Sequence, residues 1–284
     1  MCVTCGCGKD ANASLSLHEH EHEHEPGHEH MHADGTRHTH SHDPQTLADG
    51  HDHDHALVPG RDRRSVELEV QILGKNQLIA ERNRGWLAGR GILALNLVSS
   101  PGAGKTTLLE RTLTDLRPTT QMAVVEGDQA TSYDARRIRA TGARAVQVNT
   151  GTGCHLEADM LERALALLRP EPGSLLMIEN VGNLVCPALF DLGEQAKVVI
   201  FSVTEGEDKP LKYPHMFAAA KLVILSKTDL LPYLRFDMQQ AMQNALAVNP
   251  DVEVIALSTF SGGGLDRWYE WLKSNLAVSV GAAA

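Results

Sequence analysis

The sequence predicts an α/β fold: a mainly parallel sheet of about seven strands with helices on both faces. Segments rich in Val, Ile and Leu alternate with helical patterns along residues 61–284. Such apolar runs are typical of parallel strands that are buried on both faces. The predicted strands are 92–98, 122–126, 145–149, 174–179, 197–203, 221–226 and 252–257. The predicted helices are 65–84, 105–116, 133–141, 155–169, 211–219, 236–247 and 264–276.

The first 60 residues differ from the rest of the chain in composition. They hold 13 of the 15 histidines and 11 acidic against 2 basic residues, so they carry most of the net charge of −10. Large apolar side chains are almost absent from residues 8–60, which therefore cannot bury enough surface to fold. The sequence predicts three parts: a cysteine motif at 1–7, a disordered His-rich tail at 8–60 and a folded domain at 61–284.

The charge and hydropathy of the folded part argue against some functions. Residues 61–284 are near neutral, which gives no basis for expecting nucleic acid or an anionic membrane surface as a partner. No apolar run approaches the ~18 residues that cross a bilayer, and the N-terminus has no apolar signal segment. We therefore expect a cytoplasmic protein without membrane insertion, whose clustered cysteines bind metal rather than form disulfides.

A glycine-rich phosphate-binding motif connects the first strand of the domain to the helix 105–116. It reads Ser-Ser-Pro-Gly-Ala-Gly-Lys-Thr-Thr from residue 99 to residue 107. Its glycines let the backbone turn tightly, so that amide groups and the positive end of the helix dipole face a phosphate. Ser99 stands where the usual motif has its first glycine. The predicted nucleotide-binding residues of this motif are Ser100, Gly102, Ala103, Gly104, Lys105, Thr106 and Thr107.

Lys105 and two acidic residues complete the predicted catalytic site. We expect Lys105 to reach the β- and γ-phosphates and the Thr106 hydroxyl to bind Mg²⁺. Asp128 and Glu179 lie at or just after the ends of predicted strands. Asp128 would contact Mg²⁺ or orient the attacking water, and Glu179 would hold a water on Mg²⁺. Gly182 would bond the γ-phosphate through its amide group. The alternative for each acid is a structural role at a turn or helix start.

A second element predicts the choice of base. The run Ser-Lys-Thr-Asp at 226–229 is similar to the Asn-Lys-x-Asp element with which GTPases read guanine. Asp229 would accept hydrogen bonds from the guanine N1–H and 2-amino groups, which adenine lacks, and Lys227 would cover the ring. Ser226 replaces the usual Asn, so one polar contact is shortened or lost. Ser258 follows the last predicted strand and is expected near the base.

The N-terminal cysteines predict a tight metal site. Cys2, Cys5 and Cys7 lie within six residues, and the α-amine of Cys2 adds a fourth ligand if Met1 is removed. Thiolate and amine donors in a small loop suit square-planar Ni²⁺ better than tetrahedral Zn²⁺. Incidental surface cysteines are the alternative. The tail imidazoles predict weaker nickel storage at His18, His20, His22, His24, His51, His53 and His55.

A second metal cluster is predicted within the folded domain. Cys154 and His155 follow the third predicted strand, and Cys186 lies four residues after Gly182. Because the carboxyl ends of parallel strands meet at one edge of the sheet, two such loops can bring the three side chains together around Ni²⁺ or Zn²⁺. The site would then be tied to the loop that moves on nucleotide hydrolysis. The alternative is a buried cysteine pair with a histidine that caps a helix.

Together these motifs resemble the HypB family, the nickel-incorporation GTPases that mature [NiFe] hydrogenase. The resemblance covers nearly the whole chain and includes Asn-Thr-Gly-Thr-Gly-Cys-His-Leu and Ile-Glu-Asn-Val-Gly-Asn-Leu-Val-Cys-Pro. It implies a P-loop GTPase of the signal-recognition and MinD-like class with a low intrinsic rate and a GTP-dependent homodimer. GTP, Mg²⁺, Ni²⁺ and Zn²⁺ are the implied ligands. The implied partners are a HypA-type accessory protein and the hydrogenase large subunit.

Two alternatives remain open from the sequence. The first is a related urease-type nickel GTPase, whose metal motif is Cys-Pro-His where this chain reads Cys-Pro-Ala at 186–188. The second is a nickel storage protein whose nucleotide-binding domain no longer acts. The intact phosphate-binding motif and its two acids speak against the second alternative.

Overall fold

Seven parallel strands form the centre of the domain, as the alternation of apolar and helical segments predicts. The computed structural model describes residues 28–31, 37–40, 63–128, 133–151 and 153–283. The strands are β1 (His28–Met31), β2 (Arg37–His40), β3 (Leu93–Ser99), β4 (Met122–Asp128), β5 (Arg144–Asn149), β6 (Leu175–Glu179), β7 (Ala196–Ser202), β8 (Ala220–Ser226) and β9 (Glu253–Ala256). The helices are α1 (Arg63–Ala88), α2 (Lys105–Leu116), α3 (Tyr133–Ala140), α4 (Ala158–Leu168), α5 (Cys186–Leu189), α6 (Lys209–Lys212), α7 (Pro214–Ala218), α8 (Met238–Val248) and α9 (Leu265–Ala283). A 3₁₀ helix covers Thr228–Tyr233.

The order of the strands positions the functional site. Strands β3 to β9 form one sheet in the order β5-β4-β6-β3-β7-β8-β9, and every adjacent pair is parallel. The chain leaves the central strand β3 toward β4 on one side and later continues through β7, β8 and β9 on the other. Open α/β sheets bind ligands at the carboxyl edge where the strand order reverses. The phosphate-binding motif leaves β3 at this edge.

Helices cover both faces of the sheet, which explains the continuous apolar strands. Leu93, Leu95 and Leu97 of β3 pack in one cluster with buried side chains of α2 and α9. Ala94, between them, packs in a second cluster with Leu87 of α1 and with side chains of α4. A third cluster joins β7 and β8 to α7 and α8. Because alternate side chains enter opposite layers, a central strand such as β3 is apolar at most of its positions. The predicted fold class is confirmed.

The helices differ from the prediction at particular residues. The predicted helix 211–219 is divided into α6 and α7, because Pro214 has no N–H group with which to continue a helix and instead begins the second one. The predicted start of α4 at residue 155 is wrong, since the helix begins at Ala158 and His155 lies in a loop. Short helix α5 was not predicted, and α9 continues beyond residue 276 to Ala283.

The tail is described only at β1 and β2, which form an antiparallel pair that the sequence does not predict. Their register places His28 opposite His40 and His30 opposite His38. The other tail residues lie outside the described ranges, and with them the predicted ligands Cys2, Cys5 and Cys7 and the predicted storage histidines. Within the described part of the chain, no helix combines the length and hydropathy needed to cross a bilayer.

Candidate functional site

The phosphate-binding motif forms a tight loop between β3 and α2. Gly102 and Gly104 have φ angles of +78° and +97°, in the left-handed region that residues with a Cβ rarely adopt. The path of the backbone therefore requires glycine at both positions. Helix α2 begins directly after the loop, at Lys105. The first amide groups of a helix have no partner within the helix, so they are available to an anion at this loop.

A cleft of about 510 Å³ opens over the loop. Most of the predicted nucleotide-binding and catalytic residues line it, which places them at one site. The predicted residues in its wall are Ser100, Gly102, Gly104, Lys105, Thr106, Thr107, Glu179, Gly182 and Lys227. Ala103 is buried. Other residues of the wall include Glu126, Asp134, Arg137 and Asn180.

Glu179 connects the loop to the end of β6. Its Oε1 accepts hydrogen bonds from Lys105 Nζ at 2.7 Å and from Thr106 Oγ1 at 2.5 Å. Its Oε2 is buried and has no hydrogen-bond partner among the described residues, which is costly for a carboxylate oxygen. A carboxylate oxygen beside a threonine hydroxyl is the kind of oxygen donor set that Mg²⁺ prefers. These residues therefore fit a magnesium–nucleotide complex.

Gly182 lies against the phosphate loop. A Cβ at this position would be 3.2 Å from Cγ of Pro101 and 3.3 Å from its backbone nitrogen, so the close approach favours glycine. The backbone of Gly182 thereby reaches the wall of the cleft. Asp128 ends β4, and its side chain lies outside the described part of the structure. Its catalytic role stays a prediction.

Arg137 of α3 is a residue of the cleft that sequence reasoning missed. Its Nη2 donates hydrogen bonds to Glu110 Oε2 at 2.6 Å and to Thr107 Oγ1 at 3.3 Å, so a guanidinium is held beside the start of α2. Guanidinium groups bind phosphate oxygens in a bidentate geometry. Helix α3 also carries Arg136 and Arg139. Only the rotation of this helix against α2 distinguishes the three arginines, and the sequence does not specify that rotation.

The predicted base-reading carboxylate is held in place by a buried serine. Ser258 Oγ donates to Asp229 Oδ1 at 2.5 Å, and Ser258 itself is fully buried. The Ser258 hydroxyl also accepts a hydrogen bond from the amide of Ser261. The structure therefore makes Ser258 a hydrogen-bond partner that orients the Asp229 carboxylate. Direct contact between Ser258 and a nucleotide stays a prediction.

Lys227 and Ser226 both reach the phosphate loop. Lys227 has a φ angle of +60°, a strained conformation for a residue with a Cβ, and its Nζ donates to the carbonyl oxygen of Gly102 at 2.6 Å. Ser226 Oγ donates to the carbonyl oxygen of Ala103 at 2.6 Å. The motif pattern assigns position 226 to base reading, whereas the structure places its hydroxyl on the loop that would hold the phosphates.

The structure brings the predicted metal ligands of the domain together. The ligand atoms of Cys154, His155 and Cys186 all lie within 4.8 Å of one another. The two sulfur atoms are 2.9 Å apart, and Cys154 Sγ is 3.5 Å from His155 Nδ1. The three residues come from the loop before α4 and from the start of α5, both at the carboxyl edge of the sheet. Two thiols and an imidazole form a donor set for a soft or borderline transition metal.

Burial controls the protonation of this cluster. His155 is nearly buried and its ring packs on Phe190, with 4.0 Å between the ring centroids. Burial lowers the pKa of His155 to about 4, so its imidazole is neutral at pH 7. A neutral imidazole is the form that binds metal.

Comparison with known proteins adds independent findings. A family model described as "CobW/HypB/UreG, nucleotide-binding domain" matches residues 93–256. "Hydrogenase maturation factor HypB" of Escherichia coli K12 is 57% identical over 226 residues, which are 79% of this chain and 78% of that protein. The crystal structure of HypB from Helicobacter pylori in complex with nickel has a TM-score of 0.69 at 39% identity and covers 72% of this chain and 97% of that one. HypB from Archaeoglobus fulgidus has a TM-score of 0.67 at 36% identity and covers 72% of this chain and 99% of that one.

Proposed function

The chain belongs to the CobW/HypB/UreG family and, within it, to the hydrogenase maturation factors of the HypB type, and we propose that it is a GTPase that binds nickel and delivers it to the [NiFe] hydrogenase large subunit. One observation carries this proposal. A phosphate-binding cleft and a cluster of thiol and imidazole donors lie at the same edge of the sheet, and the segment from Glu179 to Cys186 contributes to both. The comparison with a nickel complex of a relative supports nickel as the cargo.

The proposed reaction is hydrolysis of GTP to GDP and phosphate. A water oxygen forms a bond to the γ-phosphorus while the bond from the γ-phosphorus to the β–γ bridging oxygen breaks; that oxygen leaves on the β-phosphate of GDP, and the water proton leaves with the inorganic phosphate or to solvent. Lys105, which pairs with Glu179 in this structure, would bind phosphate oxygens instead. It would stabilise the negative charge that these oxygens gain in the transition state. Asp128 would orient the water, and the amide of Gly182 would donate to the γ-phosphate.

The same residues supply places for a magnesium ion. The Thr106 hydroxyl, Asp128 and Glu179 would hold Mg²⁺, directly or through water. When bound, Mg²⁺ neutralises part of the charge on the β- and γ-phosphates. The buried Glu179 Oε2, without a hydrogen-bond partner in the described part of the chain, supports this assignment.

Guanine is the proposed base. Asp229 would accept hydrogen bonds from the guanine N1–H and 2-amino groups, and Ser258 holds its carboxylate in position. The stem of Lys227 would cover the ring while its ammonium group remains on the loop carbonyl of Gly102. ATP cannot donate the two hydrogen bonds, so it should bind more weakly.

Nickel would be held at three kinds of site. Cys2, Cys5 and Cys7 would form the tightest site, and the tail histidines would form weak storage sites. Cys154, His155 and Cys186 would form a site for nickel or zinc that responds to the nucleotide. We also propose that the chain works in the cytoplasm as a GTP-dependent homodimer, with a HypA-type accessory protein and the hydrogenase large subunit as partners.

A transfer assay tests the proposal. The full chain is loaded with radioactive nickel and mixed with the HypA-type accessory protein and a nickel-free hydrogenase large subunit, with either GTP or GDP. In the wild-type chain we expect faster nickel transfer with GTP than with GDP. In Lys105→Ala we expect nickel transfer at the wild-type GDP rate with either nucleotide. Lys212→Ala is the matched control, because Lys212 is an exposed lysine that forms an ion pair with Asp208, four residues earlier, and does not line the cleft. A storage protein would instead retain nickel equally with both nucleotides.

A further inference from the structure

The segment from Glu179 to Cys186 lies between the nucleotide cleft and the cluster of Cys154, His155 and Cys186. At one end, Glu179 bonds Lys105 and Gly182 packs against Pro101 of the phosphate loop. At the other end, the Cys186 sulfur lies 2.9 Å from that of Cys154. Two side chains between these ends form hydrogen bonds with the loop that carries Cys154 and His155.

Asn180 bonds to both loops from within this segment. It is 1% exposed. Its Oδ1 accepts hydrogen bonds from the amide of Val181, beside Gly182, and from the amide of Leu156, the residue after His155, both at 3.0 Å. Its Nδ2 donates to Asn96 Oδ1 of β3 at 3.2 Å. One buried amide group therefore joins the strand that leads to the phosphate loop, the predicted γ-phosphate loop and the metal-ligand loop.

Asn183 makes a second, more exposed connection. Its Nδ2 donates to the carbonyl oxygen of Cys154 at 3.4 Å, and its Oδ1 accepts from the amide of Val185 at 2.9 Å. The first hydrogen bond reaches the backbone of a predicted metal ligand, while the second shapes the turn that leads to Cys186. Together with Asn180, it gives the segment two side-chain contacts with the loop that carries Cys154 and His155.

We infer that Asn180 and Asn183 are positioning residues that transmit the nucleotide state to the metal cluster, an inference that rests on the proposed function. If the amide of Gly182 moves to meet a γ-phosphate, Val181 and Asn180 move with it. Buried N–H groups are costly to leave unpaired, so the amide of Leu156 follows the Asn180 oxygen. The positions of Cys154 and His155 relative to Cys186 then depend on the nucleotide. Coupling of this kind is reciprocal, so metal must also change nucleotide affinity.

The test measures nucleotide affinity in the full chain with and without Ni²⁺. Fluorescent GDP and a fluorescent, non-hydrolysable GTP analogue are titrated, and the ratio of their affinities is compared between the two conditions. Cys186→Ala supplies the baseline, because it retains the tail sites and loses a ligand of the cluster. In the wild-type chain we expect nickel to shift the ratio by about 5- to 150-fold relative to this baseline. We expect Asn180→Ala to abolish the shift.

Matched variants separate transmission from loss of stability. Asn76→Ala is the control for Asn180: Asn76 is also buried, and its Oδ1 accepts from the amide of Ala158, the first residue of α4 after that loop, but Asn76 lies on α1. This control should keep the wild-type shift. Asn183→Asp keeps the acceptor for the Val185 amide and removes the donor to the Cys154 carbonyl oxygen, so it should reduce the shift in the affinity ratio. It provides a second test if Asn180→Ala does not fold.

Three results would overturn the inference. The first is that Asn180→Ala and Asn183→Asp both keep the wild-type shift in the affinity ratio. If Asn180→Ala does not fold, a wild-type shift in Asn183→Asp alone has the same meaning. The second is loss of the shift in Asn76→Ala, which would assign the effect to general loosening of the loop. The third is a wild-type chain whose nucleotide preference ignores nickel, since nothing would then be transmitted. The nickel-transfer assay remains a separate test of delivery, so the two failures are distinguishable.

Discussion

The nucleotide cleft and the cysteine–histidine cluster lie at one edge of the sheet but differ in their electrostatics. In the cleft, charged groups pair with one another: Lys105 pairs with Glu179 and Arg137 with Glu110. In the cluster, burial keeps His155 neutral and thiols supply the other donors. The first arrangement suits a highly charged, oxygen-rich ligand that displaces ion pairs. The second suits a soft metal ion that replaces protons on sulfur.

The two sites also depend on the chain in different ways. The phosphate loop is one contiguous run whose shape follows from two glycines with positive φ angles. The cluster joins residues that are 32 positions apart, and it exists only because β5 and β6 end at the same edge of the sheet with β4 between them. A local motif can therefore be damaged by one backbone change, whereas the cluster depends on two loops keeping their relative positions.

The largest expected effect breaks the cleft and leaves the cluster intact. Lys105→Ala should lower the rate of GTP hydrolysis by about 10²- to 10³-fold, because the γ-phosphate oxygens lose a fixed positive charge that stabilises them in the transition state. The freed Glu179 carboxylate would remain buried without its cation, so nucleotide affinity should fall as well. The measurement is phosphate release under single-turnover conditions, with nucleotide-free Ni²⁺ affinity as the internal control. Hydrolysis at the wild-type rate would show that the active site lies elsewhere.

The contrast between the two sites explains how much the sequence predicts. All seven strands of the sheet lie within two residues of their predicted ends, because buried apolar runs are a local signal. Helix α2 matches its predicted range, since the Gly-Lys-Thr run determines where it begins. The start of α4 was missed because Leu156 and Ala158 donate their amides to Asn180 and Asn76, residues far away in sequence. Arg137 was missed for the same reason: its place in the cleft depends on packing between helices.

The second prediction breaks the cluster while sparing the cleft. The background is a chain in which Cys2, Cys5 and Cys7 are replaced by Ala. In this chain, Cys186→Ser should weaken Ni²⁺ binding at the cluster by more than about 100-fold. Loss of a residue that only hydrogen-bonds a metal ligand costs up to roughly that factor, and loss of a ligand should cost more. A hydroxyl is a poor substitute for a thiolate toward a borderline metal. Competition with a chromophoric chelator measures the affinity, and the triple Cys variant with Cys186 intact is the control. Equal affinities in the two chains would remove Cys186 from the ligand set.

The third prediction concerns the proposed base-reading pair, Asp229 and Ser258. Asp229→Ala should abolish the preference for GTP over ATP, because each unmade polar contact costs about 1–3 kcal/mol. Ser258→Ala should reduce this preference less, since Ser258 only orients the carboxylate. Competition titrations with GTP and ATP measure both variants against the wild-type chain. The reverse order of effects, with Ser258→Ala the more severe, would mean that Ser258 contacts the base itself.

The smallest expected effect decides what position 226 does. Ser226→Ala leaves the buried carbonyl oxygen of Ala103 without its hydroxyl donor, which should destabilise the domain by about 1–3 kcal/mol. Because the lost contact supports the phosphate loop, GTP and ATP should lose affinity by the same small factor and their ratio should stay constant. Asp229→Ala provides the contrast, since it changes the ratio. If Ser226→Ala weakens GTP and leaves ATP unchanged, position 226 reads the base, and the division between a phosphate-loop serine and a base-reading aspartate is wrong.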